Sequence, residues 1–157
     1  MPYPLVQFLL LFPIIVLSVT LHEYMHGWVA YRCGDPTAKL SGRLTLNPLA
    51  HVDLWGTLIL PIFFFLTLQI LFGWAKPVPV NFMNLRKPKT QMIWVAVAGP
   101  ATNLCLAYLC ASFSLRSGLS PNSLTGTLFL GGAFLNLFLA VFNMIPIPPL
   151  DGSRVVM

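Results

Sequence analysis

Residues 20–27 read Thr-Leu-His-Glu-Tyr-Met-His-Gly, and this stretch decides the fold. It closes an apolar run that begins near Leu5 and contains no charged residue before Glu23. Residues four apart share one face of a helix, so His22 and His26 are expected to point the same way, one turn apart. That spacing lets two imidazoles bind one zinc ion, with Glu23 as general base toward a metal-bound water.

The alternative is that both histidines are structural residues, because a His-Glu-x-x-His pattern also arises by chance. The whole chain, however, contains three histidines and one glutamate, and the pattern uses two of those histidines and the glutamate. Burying these side chains in an apolar helix is costly unless they are paired or bind a metal. The sequence therefore favours a metal site.

The composition indicates a membrane protein. The 157 residues are 57% hydrophobic and 8% charged, with a mean hydropathy of +0.79, whereas about a quarter of the residues in a soluble domain are charged. The net charge of +5 does not suggest a nucleic-acid partner, because the basic residues lie in short loops, near lipid headgroups. The three cysteines show no metal or redox spacing. We expect one domain, residues 1–157.

Four intervals carry no Lys, Arg, Asp or Glu, and each is long enough for a membrane span of about 20 residues. They predict an all-α polytopic bundle of about three to four hydrophobic helices. The intervals are 1–22, 54–75, 90–115 and 117–150, and the predicted helices are 5–30, 55–73, 91–115 and 126–145.

A small β-hairpin or strand is predicted near residues 38–47, because apolar residues and glycine alternate there with polar ones. It is either a plain connection or an exposed edge that pairs with an extended substrate. The candidate substrate-binding residues on this edge are Gly42, Leu44 and Asn47.

Two asparagines lie at polar positions of the apolar runs. Asn103 follows a Gly99-Pro100 pair in the third run, and Asn143 ends the fourth. Each is a candidate site-lining residue, although a polar side chain in a span also serves to hold helices together.

A catalytic zinc usually takes three protein ligands, and four residues are candidates for the third. Asp35 lies in a polar turn, and His51 and Asp53 are near enough to pair with each other. Asp151 follows a long uncharged interval on irregular, proline-rich backbone, where an unpaired carboxylate needs a cation. We therefore choose Asp151, the alternative being a turn residue paired with Arg154.

This choice predicts the topology. For Asp151 to share a metal with His22, the first and last helices must run parallel, and the run at 55–73 must not add a net crossing. That run is then either a re-entrant hairpin broken at Pro61 or is followed by an extended return. Eight basic residues would lie on the metal's side and Arg116 on the other, which places the site toward the cytoplasm.

At this point the chain resembles the site-2 protease family of intramembrane zinc metalloproteases. The resemblance rests on the His22–His26 pattern, on Gly-Pro-Ala-Thr-Asn at 99–103, and on Asn-Met-Ile-Pro at 143–146 followed by Leu-Asp-Gly at 150–152. It implies one zinc per chain and a role for Glu23 in activating water. It further implies a prokaryotic plasma-membrane location and a single-pass transmembrane substrate. No interval can house a PDZ domain, and we expect a compact core, C-terminally truncated at Met157.

We therefore predict hydrolysis of a peptide bond in or near a transmembrane segment, as in regulated intramembrane proteolysis. Two alternatives use the same ligands. One is a membrane zinc carrier or sensor, and the other is a catalytically inactive relative that binds membrane helices. Zinc content measured together with a cleavage assay distinguishes the three functions.

Overall fold

The computed structural model describes residues 4–68, 74–121 and 123–156, and its regular elements are all helical. The helices are α1 (Pro4–Arg32), α2 (Thr37–Leu40), α3 (Leu60–Leu68), α4 (Pro88–Arg116), α5 (Leu124–Asn143) and α6 (Asp151–Val155). A π-helical turn, Leu54–Ile59, precedes α3, and 3-10 turns lie at Pro48–Ala50 and Phe82–Asn84. The predicted all-α class is confirmed for these residues.

Three helices are long and apolar enough to cross a membrane: Phe8–Arg32 within α1, α4, and α5. Only 17–33% of their apolar windows is buried inside the protein, and large apolar side chains such as Leu17 and Phe134 face outward. An apolar outer surface of this kind suits lipid rather than water. The chain is therefore an integral membrane protein, and these helices end within three residues of the predicted 5–30, 91–115 and 126–145.

Helix α4 lies at the centre of the bundle and packs against α1, α5 and α6. Most of its buried positions are small: Ala96, Ala98, Gly99, Ala107 and Ser114. Small residues let helix backbones approach closely, which is how membrane helices gain packing energy without a hydrophobic driving force. This close approach brings α1 and α6 to the same part of α4.

Helices α1 and α5 run parallel, with α4 antiparallel to both. Residues 117–123 connect α4 directly to α5. The imidazole of His26, near the C-terminal end of α1, bonds the carbonyl of Val95, near the N-terminal end of α4. Asp151, just past α5, bonds the same histidine. The parallel arrangement inferred from the choice of Asp151 is the one observed.

The prediction of a β-hairpin near 38–47 is wrong. Residues 37–40 form the short helix α2, and the following backbone is a series of turns, with no strand in the described ranges. Gly42 adopts a left-handed φ of +70°, and the amides of Arg43 and Leu44 bond back to the carbonyl of Ala38 at 2.8 and 3.2 Å. These local bonds satisfy the backbone inside the segment, so the alternation of residue types does not reflect a paired strand.

Gly56 and Trp74, at the two ends of the apolar run predicted at 55–73, lie next to each other. The amide of Trp74 bonds the carbonyl of Gly56 at 2.9 Å, and the Thr57 hydroxyl donates to the carbonyl of Trp74 at 2.9 Å. Residues 54–68 are helical with Pro61 inside α3, and 69–73 lie outside the described residues. Gly56 and Trp74 therefore lie at one level and this run adds no net crossing between them, but the chain is helical through Pro61, so the predicted break at that residue is not observed.

Trp74–Arg86, called here the proline segment, is extended as far as Asn81 and is fixed along its length. Its amides bond carbonyls or carboxylates of the preceding chain: Trp74 to Gly56, Lys76 to His51, Val78 to Glu23, Asn81 to Asp35 and Arg86 to Cys33. Pro77 and Pro79 prevent a helix here, and neither has an amide to lose. The segment thus forms a wall beside the C-terminal half of α1.

Candidate active site

Three side chains from distant parts of the chain converge on one point. The distance from His22 Nε2 to His26 Nε2 is 3.0 Å, and Asp151 Oδ2 lies 3.1 Å from the first nitrogen and 3.0 Å from the second. Both histidines are nearly buried, with 6% and 5% of their surface exposed. In the described part of the chain, this is the one group of three potential metal-ligating side chains.

Hydrogen bonds to the opposite ring nitrogens fix both imidazoles. The Nδ1 of His26 lies 2.7 Å from the carbonyl oxygen of Val95, which can only accept, so Nδ1 donates. The Nδ1 of His22 lies 2.7 Å from Asn103 Oδ1, while the Asn103 amide nitrogen donates to Asn136 Oδ1 at 3.1 Å. This network assigns the proton to Nδ1 in both rings. Each Nε2 therefore turns a lone pair toward the other and toward Asp151.

The donor set fits zinc. Two Nε2 lone pairs and a carboxylate oxygen that face one another at 3.0–3.1 Å repel unless a cation lies between them. Ligands bound at about 2.0–2.2 Å in a tetrahedron lie about 3.3–3.5 Å apart, close to this spacing. Asp151 supplies the one anionic oxygen of this set.

Two glycines allow this convergence. A Cβ added to Gly99 on α4 would lie 2.6 Å from His22 Nε2 and closer still to His26 Nε2. A Cβ on Gly152 would overlap the carbonyl of Met144 and lie 2.7 Å from the carbonyl oxygen of Ile145. The imidazoles and the end of α5 occupy the space of these missing side chains, so α4 and α6 approach as closely as their backbones permit.

A cleft of about 580 Å³ opens beside the three side chains. Its walls include Glu23, Asn143 and Arg154, together with part of the proline segment. The Glu23 carboxylate is held there, because its Oε2 accepts a hydrogen bond of 2.8 Å from the amide of Val78. The cleft thus combines a potential metal site, a positioned carboxylate and room for water and an extended peptide.

The sequence profile of Peptidase family M50 matches residues 10–119. YwhC of Bacillus subtilis strain 168 is 38% identical over 161 aligned positions, which cover 98% of this chain and 70% of that protein. This chain belongs to peptidase family M50. The predicted family, the site-2 proteases, is confirmed, and with it the zinc-dependent hydrolase class.

Further relatives of this M50 protein are mycobacterial. Rip2 of Mycolicibacterium smegmatis is 37% identical over 141 positions, and Rip2 of Mycobacterium tuberculosis strain H37Rv is 36% identical over 140. Each alignment covers 87% of this chain and 52% of the relative, so the chain spans about half their length. All three relatives are named "Putative zinc metalloprotease". No solved structure matches the chain significantly.

The candidate site-lining residues fall in different places of the M50 fold. Asn143 lines the cleft and donates to the carbonyl of Leu139 at 2.9 Å. Asn103 is fully buried behind His22 and orients that ligand. Gly42, Leu44 and Asn47 lie outside the walls of the cleft, and Asn47 caps the turn Pro48–Ala50. A substrate-binding role for those three residues stays a prediction.

Of the remaining candidates for the third ligand, His51 lies outside the walls of the cleft, and the two aspartates have other partners. The buried Asp35 carboxylate accepts hydrogen bonds from Thr37, from the Asn81 amide at 2.7 Å and from Asn84 Nδ2 at 2.9 Å. Burial raises the pKa of Asp35, but these donors outweigh burial and hold it below its ordinary value. Asp53 caps the π turn through the amide of Gly56. Neither carboxylate is left in need of a cation.

Sequence reasoning missed three supporting groups. Asn136 is 1% exposed and holds Asn103 in place; as an isolated polar residue in an apolar run, it shows the same signal that identified Asn103. The Val95 carbonyl has no sequence signal, because every residue carries one. The Val78 amide also has no sequence signal of its own. Because Pro77 and Pro79 lack an amide hydrogen, however, Val78 carries the one backbone donor of residues 77–79.

Proposed function

We propose that this M50 protein hydrolyses a peptide bond in or near the single transmembrane segment of another membrane protein, as in regulated intramembrane proteolysis. One observation carries the proposal. Two imidazole lone pairs and the Asp151 carboxylate converge at 3.0–3.1 Å beside a cleft that also holds Glu23, within a bundle of membrane-spanning helices. The mechanism follows from what each side chain does there.

His22, His26 and Asp151 would hold one zinc, and a bound zinc supplies Lewis acidity and an acidified water at neutral pH. Glu23 is the general base. The Val78 amide holds its Oε2, which leaves Oε1 to take the proton of the attacking water. The same carboxyl then gives that proton to the leaving amine nitrogen. Asn103 and the Val95 carbonyl keep both imidazoles in the ligating tautomer.

The location of the cleft supports a membrane substrate. His22 lies within a membrane-spanning helix, while Arg154 and Asn143 in the cleft wall offer water a polar route to the site. A substrate helix must unwind to expose its carbonyls, because an intact helix pairs them internally. The cleft volume of about 580 Å³ is ample for an extended peptide.

Charge supports a cytoplasmic position for the site, in a prokaryotic plasma membrane. Eight of the nine basic residues belong to the elements at the metal's end of the bundle, and Arg116 ends α4 at the other. Positively charged loops stay on the cytoplasmic side. The eight are Arg32, Lys39, Arg43, Lys76, Arg86, Lys87, Lys89 and Arg154.

The test is cleavage of a panel of single-span membrane proteins in liposomes, with zinc content measured on the same samples. We expect Glu23→Gln to keep its zinc and to lose cleavage by about 100-fold or more, the range of general acid–base catalysis. Asp151→Ala should lose both. Asp53→Asn, a carboxylate outside the cleft, is the control and should keep both.

Cleavage by Glu23→Gln at the wild-type rate would refute the general base. Zinc binding by the wild type without cleavage of any substrate would instead favour a zinc-binding or helix-binding role.

A further inference from the structure

A second cavity, called here the side pocket, adjoins the catalytic cleft. The two share wall residues from three parts of the fold: Val19 on α1, Trp74 and Ala75 on the proline segment, and Leu139 on α5. The side pocket has a volume of about 60 Å³, several times the roughly 10–15 Å³ that one water requires. It therefore has room for a side chain that enters from the cleft.

The walls of the side pocket are apolar. Helix α1 contributes Phe12, Ile15 and Val16. Its Thr20 donates its hydroxyl to the carbonyl of Val16 at 2.7 Å, and Thr57 donates to the carbonyl of Trp74 at 2.9 Å. Both hydroxyls are thus occupied by the protein's own backbone, and the pocket offers a mainly apolar surface.

One polar atom in the wall residues lacks a partner. His51 lines the pocket and is 2% exposed. Its Nε2 lies 2.9 Å from the carbonyl oxygen of Thr45, so Nε2 carries the proton. Its Nδ1 is then an acceptor, buried and without a hydrogen-bond partner among the described residues. Because this atom has almost no accessible surface, it adds no polar group to the surface of the pocket.

The side pocket also lies close to the metal site when measured along the axis of α1. Val19 precedes His22 by three residues and Val16 by six, which is about 4.5 and 9 Å along a helix axis. An extended peptide advances about 3.3 Å per residue. A side chain entering the pocket therefore belongs to a residue within about three positions of the bond held at the metal site.

We propose that the side pocket binds an apolar side chain of the substrate, within three residues of the scissile bond. This inference rests on the proposed function and adds a specificity determinant to it. The pocket selects the residue that occupies it by burying apolar surface.

The test uses a model single-span substrate in liposomes, whose scissile bond is located by mass spectrometry. Each of the three residues on either side of that bond is replaced by glycine, valine, threonine or leucine. Burying a side chain of valine size contributes about 1.5 kcal/mol or more. At one position, wild-type kcat/KM should therefore be about tenfold or more higher for valine than for glycine.

Matched variants locate this preference in the pocket. Val16→Phe fills the pocket and should reduce the valine-to-glycine ratio toward one, while the glycine substrate is still cleaved. Leu17→Phe adds the same ring at the neighbouring position, which is 56% exposed on the outside, and should keep the wild-type ratio. Val52→Phe fills the pocket from the opposite wall.

A binding measurement separates this inference from the proposed function. In the Glu23→Gln background, a substrate that carries photoactivatable leucine at the selected position should crosslink to residues 12–19, and Val16→Phe should abolish that crosslink. A crosslink in the Glu23→Gln variant, together with no cleavage by the wild-type protein, would support the pocket and contradict the proposed protease function. Cleavage with unchanged side-chain preference in both pocket-filling variants, or crosslinks elsewhere in the chain, would overturn the pocket.

Discussion

The orientation of His22 and His26 depends on two partners outside the metal triangle. Asn103 Oδ1 and the Val95 carbonyl each accept a hydrogen bond from an Nδ1–H group, which turns both Nε2 lone pairs inward. The convergence of His22, His26 and Asp151 could be predicted from spacing, charge and elimination, and their binding of one zinc ion stays a prediction. The Val95 carbonyl could not be predicted, because a backbone group has no residue type. Asn103 was predicted to lie at the site, although it supports a ligand and does not line the cleft.

Gly99 is the residue whose side chain the site cannot accommodate. Gly99→Ala would place a methyl group against both imidazoles, at 2.6 Å from His22 Nε2, with the helix backbone unable to yield. We expect this variant to lose zinc and cleavage together. Zinc content and cleavage of the same preparation measure the effect.

Gly132→Ala is the matched control for Gly99→Ala. It also adds a methyl group to a buried glycine on a spanning helix, but its nearest neighbour, Cys110 Sγ, would lie at an ordinary 3.4 Å. It should keep both zinc and activity. A Gly99→Ala protein with full zinc content would show that α4 does not press against the ligands.

Among the elements, the proline segment shows how far local sequence reasoning extends. Pro77 and Pro79 predicted an extended path, and the path is extended. Its docking against α1 depends on bonds to residues more than 40 positions away, Asp35 and Glu23, and no local pattern contains that information. The same limit explains the error at 38–47, where alternation indicated a strand but no partner strand exists among the described residues.

Asp35 fixes the middle of the proline segment. Asp35→Asn would replace one acceptor oxygen by an amide nitrogen, which would face either the Asn81 amide at Oδ2 or the Asn84 donor at Oδ1, so we expect a loss of about 1–3 kcal/mol of unfolding free energy. We also expect faster tryptic cleavage after Arg86, which is followed by Lys87. Denaturant unfolding in detergent and limited proteolysis measure these effects.

The pH dependence of this effect follows from the depressed pKa of Asp35. The stabilisation should be complete at neutral pH and be lost only as the pH falls through the native pKa, below the ordinary 3.8. Asp53→Asn is the control, since asparagine and aspartate serve equally as helix N-caps. Equal stability of Asp35→Asn and wild type at pH 7 would contradict the anchoring role.

At the scale of the whole molecule, one choice determined the topology correctly. Taking Asp151 as a ligand required α1 and α5 to run parallel, and the bonds of Asp151 to both histidines show that they do. The number of membrane crossings could not be read from hydropathy alone. The run that includes Leu54–Leu68 is as apolar as a span, yet Trp74 returns to Gly56.

The sidedness of the bundle is testable by cysteine labelling. In a chain without Cys33, Cys105 and Cys110, an impermeant maleimide should label Ser117→Cys from outside intact bacterial cells. Lys39→Cys should be labelled only in inverted vesicles, because the positive-inside rule places its end of the bundle in the cytoplasm. Labelling of Lys39→Cys from outside intact cells would reverse the proposed orientation.

The central claim is that His22, His26 and Asp151 hold one zinc ion between them. Zinc content per chain, measured after dialysis against a chelator, tests this claim most directly, with His51→Ala as the control for a histidine outside the site. We predict one zinc per chain in the wild type and in His51→Ala, and background zinc in His22→Ala, His26→Ala and Asp151→Ala. A folded Asp151→Ala protein that retains one zinc per chain with wild-type affinity would contradict the account.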